Sequence, residues 1–173
     1  MERELEEVVE KARQPFERKV GATMAITAAV LALVSVYGHV TTTEELLLQQ
    51  KASDQWAFYQ SKSIRRYQSE VARDMLAAIT GPAAAAAGLK YESNREKYRQ
   101  ESDAIEEKAS DLEHESGVKS RQALRLHLGE IFLEIAIVVS SLALLTQRAG
   151  FWPAGVLAAL AGAAISATAF LVH

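Results

Sequence analysis

The chain has no cysteine among its 173 residues. Neither a disulfide framework nor thiolate chemistry is open to it, and its redox compartment is left undecided. The familiar catalytic signatures are missing as well. There is no Ser–His–Asp arrangement, no glycine-rich phosphate loop and no H-E-x-x-H. No enzymatic activity and no cofactor are therefore expected. Charge of one sign is not in large excess, and the net charge of −3 gives no reason to expect nucleic acid as a partner. Glycine and proline are both absent from Thr42 to Ile79, which leaves nothing to break a helix there.

Charge itself is missing from two stretches. "VGATMAITAAVLALVSVYG", Val20 to Gly38, holds 19 residues, and "AGFWPAGVLAALAGAAISATAFLV", Ala149 to Val172, holds 24. Each is long enough to cross about 30 Å of hydrocarbon. A third run, "IFLEIAIVVSSLALLTQ" from Ile131 to Gln147, carries one charge, Glu134. Ile131 to Thr146 reaches only about 24 Å, so a full crossing must draw in Glu130 and part of Leu126 to Gly129. The pattern predicts an all-α membrane protein with three transmembrane helices and a long antiparallel helical hairpin between the first two. In residue numbers this gives a charged N-terminal interfacial segment at 1–19, transmembrane helices at 20–39, 129–147 and 150–172, and an extramembrane hairpin at 41–128 with its tip near 80–83.

The six glutamates before the first span, and the lack of a small-x-small site in "SVYGHV", argue for an uncleaved anchor rather than a signal peptide. An interfacial helix is expected up to Pro15. Lys11, Arg13, Arg18 and Lys19 crowd the entrance of the first span, and Arg148 lies in the link between the second and third. Lys119, Arg121 and Arg125 pull the other way. The balance favours a cytoplasmic N-terminus and a hairpin on the opposite side.

Within the hairpin, Thr42 and Glu45 have capping-box spacing and predict a new helix start after Gly38-His39. Gly81-Pro82 breaks the chain, and Pro82 suits the first position of the next helix. Gly117 is a candidate joint before the second span. Ala57, Ile64, Val71 and Ala78 recur every seven residues, as do Tyr91, Tyr98, Ile105 and Leu112. Two such stripes predict an antiparallel coiled coil. The second arm is thin at Arg95, Glu101 and Ser102, so further copies of the chain are expected to share the packing.

"TEELLLQQKASDQWAFYQSKSIRR" and, later, "GEIFLEIAIVVSSLALLTQR" resemble the bacterial membrane proteins grouped as domain of unknown function 4337. That family shows an ALLLQNKASDQWAYYQAKSI-type segment after its first span and an E-x-x-x-x-IAIVLSS-type second span. Gln50 stands here where the family commonly has Asn. The resemblance implies the same topology and a bacterial inner membrane, and it carries no activity with it.

Four groups of residues are candidates for function. Trp56, Phe58 and Tyr59 lie in an unbroken apolar row that sweeps about 300° of helix. A row apolar on nearly every side predicts packing in an oligomer, in preference to a ligand-stacking site. Small-residue stripes, Gly21, Ala25, Ala28, Ala32 and Ser35 in the first span and Ala154, Ala158, Gly162 and Ser166 in the third, predict close helix contacts. Glu134, with Glu130 one turn before it, is the candidate ion pathway. His39, His127 and Glu130 are candidate metal ligands, weighed against simple residence at a membrane boundary. The expected function is that of a homo-oligomeric scaffold or interaction module in a lipid membrane. A small ion- or proton-conducting assembly using Glu134 is the alternative.

Overall fold

In the computed structural model, the backbone is described for residues 2–172 and the side chains for residues 14–172. Much of the candidate interfacial segment at 1–19 thus lies outside the described side chains. The fold is all-α among the described residues. Helix α1 spans Glu2–Ala77, α2 spans Pro82–Thr146 and α3 spans Phe151–Thr168, followed by a 3-10 turn at Ala169–Leu171.

The breaks fall where backbone chemistry demands them. Gly81 has φ +145°, a conformation closed to residues with a Cβ, and Pro82 then opens α2. The second break follows α2 at Gln147, whose φ of 54° is left-handed without being glycine.

Three expected breaks do not occur. Pro15 lies inside α1, Gly38-His39 does not end it, and Thr42 does not start a new helix. Instead of capping a backbone N–H, the Thr42 hydroxyl meets the His127 ring. A capping box stabilises orphan amides at a helix end, and mid-helix there are none to satisfy. Gly117 likewise lies within α2.

The chain divides into two compact units, Met1–Thr43 with Val118–His173, and Glu44–Gly117. In the first unit, Leu126, Gly129, Leu133, Ala136, Ser140 and Ala143 form the buried face of α2 at spacings of three and four. Gly155, Gly162 and Ser166 are the buried residues of α3. A Cβ on Gly162 would stand 2.7 Å from the Gly129 carbonyl oxygen, so glycine is what lets these helices approach. Arg125 and Gln122 donate to the carbonyls of Thr168 (2.9 Å) and Val172 (3.0 Å), satisfying acceptors that the end of α3 leaves open. At the other end of α3, Trp152 Nε1 donates to Thr23 Oγ1 on α1 over 3.1 Å.

The second unit is a pair of antiparallel arms. Contacts fall at Ser116 to Glu45, Lys62 to Glu101 and Arg73 to Glu92, so one index rises as the other falls. On the α2 arm, Tyr98, Ile105 and Leu112 of the expected stripe do turn inward, alongside Ser102 and Ala109, while Tyr91 is exposed. The α1 arm corrects the expected seam. Ile64 and Val71 are 57 % and 51 % exposed, and Ala57 and Ala78 are exposed with them. The face turned inward instead carries Ala52, Tyr59, Lys62, Arg66, Ser69 and Arg73. Ile64 is about 200° round the helix from Lys62 and from Arg66, so the two stripes cannot both face the partner arm. Small residues at Ala52, Ser69, Ser102 and Ala109 give close approach, and the acids of the second arm meet the bases of the first.

Three helices are long and apolar enough to cross a membrane. Only 6 % of the apolar window in α1 is buried, against 28 % in α2 and 22 % in α3. The apolar run of α1 is thus the least covered of the three among the described residues.

Candidate functional site

Where α1 passes Gly38 and α2 passes His127, polar side chains gather in the first unit. The helices come close because Gly38 offers no side chain, and a Cβ there would lie 3.6 Å from the His127 ring. His127 uses both ring nitrogens. Nδ1 is 3.2 Å from Glu130 Oε2 and Nε2 is 3.1 Å from Thr42 Oγ1. Against an ionised carboxylate, which only accepts, Nδ1 carries the proton, and the Thr42 hydroxyl donates to a neutral Nε2. His39 lies edge-on to His127 with ring centroids 6.5 Å apart, and its Nδ1 donates to the Ser35 carbonyl over 2.9 Å. Ser35 of α1 lies on the Glu130 side of the cluster.

Residues 35, 39 and 42 of α1 and 127 and 130 of α2 share facing turns because three- and four-residue steps return to one side of a helix. The cluster is a hydrogen-bonded relay from Thr42 through His127 to Glu130. As a metal centre it falls short: among the described residues, no group of three or more His, Cys, Asp or Glu is arranged to hold an ion. Both ring nitrogens of His127, and Nδ1 of His39, are already committed to hydrogen bonds.

Glu134 lies one turn beyond Glu130 and is exposed. It makes no hydrogen bond or ion pair among the described residues. Its neighbours along that side of α2, Ile131, Val138 and Leu145, are exposed as well. Glu130 and Glu134 therefore part company. One is tied to α1 and the other looks away from its own chain.

The remaining candidates are distributed as follows. Gly21 and Ala25 are exposed, and a Cβ on Gly21 would meet nothing within 4 Å. Gly162 lies at the α2–α3 crossing, while Ala154 is exposed and Ala158 half-buried. In the second unit, Trp56 and Tyr59 stack edge to face with centroids 5.6 Å apart. Phe58 turns outward, with the Lys62 ammonium 5.2 Å from its ring centre. That ammonium is also 2.6 Å from Glu101, which holds the carboxyl below its ordinary range. Glu92 is held down by Arg73 and then Arg95, and Arg73 is raised in turn. Glu96, bonded to Arg99 and Gln100, is lowered to about 2.

A family model described as Domain of unknown function (DUF4337) matches residues 16–172. The chain belongs to that family. No curated protein and no solved structure matches it. The DUF4337 match takes in both units, the His127–Glu130 cluster and the arm that carries Trp56. Two features of this DUF4337 chain escaped the reading of its sequence: the Thr42–His127 bond and the Trp152–Thr23 bond. Thr42 looked like a cap because its spacing to Glu45 fits one. Nothing local in the sequence ties Trp152 to a threonine 129 positions away.

Proposed function

We propose that this protein is a non-enzymatic, homo-oligomeric integral membrane protein that presents its helical arms as a scaffold or interaction module. The observation carrying this reading is the outer face of the α1 arm. Ile64, Tyr67, Val71 and Met75 follow one another there at steps of three and four and are each at least half exposed. Charged residues surround this segment, so lipid is not what covers it. An apolar stripe with a seven-residue period matches a second helix with the same period, and β-branched Ile64 and Val71 at the repeat suit a parallel coiled-coil pair. Copies in one membrane share one orientation, so their arms run parallel and place like residues at like heights.

Three helices long and apolar enough to cross a membrane support the integral setting. The bacterial inner membrane is the proposed location, with Arg18, Lys19 and Arg148 favouring a cytoplasmic N-terminus and the arms on the periplasmic side. Native mass spectrometry in mild detergent tests the assembly. A multiple of the chain mass is expected for the wild type, falling to the monomer in an Ile64→Ser, Val71→Ser variant. A wild-type monomer would refute it.

A second reading rests on Glu134. A carboxylate within an apolar span must pair, protonate or face water, and this one has no partner among the described residues. An assembly that turns this face of α2 inward would line a central path with Glu134 and conduct ions or protons.

A further inference from the structure

The first unit contains an apolar groove of about 210 Å³ bounded by α1, α2 and α3. Thr23, Thr27 and Val30 line it from α1, and Gly155, Ala159 and Ala163 from α3. The two threonine hydroxyls ask nothing of an occupant. Thr23 Oγ1 donates to the Val20 carbonyl and Thr27 Oγ1 to the Thr23 carbonyl, each over 2.8 Å. The rest of the lining is aliphatic apart from Ser140, whose hydroxyl lies against Gly155. The space is too small for a helix, whose width with side chains is about 10–12 Å. It suits a flexible chain of methylenes.

The end of the groove near Thr23 and Gly155 is also where free cations collect. Trp152 is bonded to Thr23 and fixes the start of α3 level with the start of the apolar run in α1. Lys19 is one turn before Thr23, Arg18 is beside it, and Arg148 is four residues before Trp152. All three are exposed, and none makes an ion pair or side-chain hydrogen bond among the described residues. Glu17 is the sole acid from residue 14 to 43, and no acid follows Glu134. Among the described side chains, this end therefore carries three cations against one acid, above a groove that takes a hydrocarbon chain.

We propose that this site binds an anionic phospholipid, with one acyl chain in the groove and the phosphate-bearing headgroup held by Arg18, Lys19 and Arg148. Trp152 then lies at the boundary between chain and headgroup, where its amphipathic ring is at home. The proposal rests on the membrane reading above and goes further by naming the ligand class and the side chains that select it. The same positive end that sets orientation becomes a lipid-specific site.

Trp152 is also the probe. The chain has two tryptophans, so Trp56→Phe leaves Trp152 as the one fluorophore. The full-length variant is reconstituted in phosphatidylcholine vesicles containing a small fraction of acyl-brominated phosphatidylglycerol or, separately, acyl-brominated phosphatidylcholine. Two net positive charges predict enrichment of the anionic lipid beside Trp152 by about thirtyfold, read as stronger quenching at equal bromolipid content. Arg18→Gln, Lys19→Gln and Arg148→Gln together, all on exposed side chains, should bring the two lipids to parity. Ala159→Phe, which fills the groove, should lower quenching by both. Excess inorganic phosphate should leave the preference intact, and its loss would reassign the cations to a free anion. Equal quenching by the two lipids in protein that floats with the vesicles would overturn the lipid site alone. Protein that does not float would overturn the membrane reading and the site with it.

Discussion

Glu134 and Glu130 differ by a single helical turn yet have opposite surroundings. Glu130 is met by His127, with Ser35 on its side of the cluster, whereas Glu134 faces outward between Ile131 and Val138. If copies assemble through the arms as proposed, Glu134→Gln should leave the oligomeric mass unchanged and the thermal midpoint equal or slightly higher, since a costly charge is gone. Proton, sodium or potassium flux through wild-type liposomes that Glu134→Gln abolishes would establish the conducting reading instead. Gln147 is the other residue in an unusual state. A side chain in the left-handed region costs about 1–2 kcal/mol, and α2 ends on one. Gln147→Gly should raise stability by about 1 kcal/mol, measured by thermal unfolding in detergent. At this scale the sequence was legible wherever chemistry was out of place. A lone carboxylate in an apolar run declares itself, whereas a threonine's partner is decided by the packing of distant turns.

Among the elements, the arms of the second unit are held by exposed ion pairs over a seam of small residues. Glu92, Glu96 and Glu101 all have lowered folded-state values, Glu96 to about 2 from an ordinary 4.5. A depressed carboxyl stabilises the fold fully above its unfolded value and loses that contribution as pH falls toward the folded one. The arms should therefore weaken between about pH 4.5 and pH 2. Amide hydrogen exchange of the full-length protein, taken relative to the intrinsic rate at each pH, should report lower protection over residues 44–117 across that window. Glu92→Gln with Glu101→Gln should flatten the change, and added salt should reduce it, because these groups are exposed. The helix break at Gly81-Pro82 was legible because it is written in backbone chemistry. The face of α1 that meets α2 was not. That arm has two seven-residue stripes, one apolar and one of small and basic residues. Periodicity alone ranks the apolar one first. Lys62 and Arg73, opposite Glu101 and Glu92, turn the other one inward.

In the whole molecule, that choice leaves an apolar stripe on the α1 arm without a partner among the described residues. Three apolar helices were legible from the absence of charge, and the family from "KASDQWAFYQSKSI" and its second span. What covers the stripe was not, because a sequence records that a stripe exists and not what packs on it. The absence of native cysteine makes the direct measurement simple. Val71→Cys is introduced as the only thiol, and the protein is oxidised in its native membranes. Parallel arms meeting along Ile64, Val71 and Met75 should give a disulfide-linked dimer in high yield. A single cysteine at Asp103, on the exposed outer side of the α2 arm, should give little or none. Monomer at Val71→Cys under conditions that oxidise the thiol, or equal cross-linking at both positions, would contradict an assembly built on this stripe.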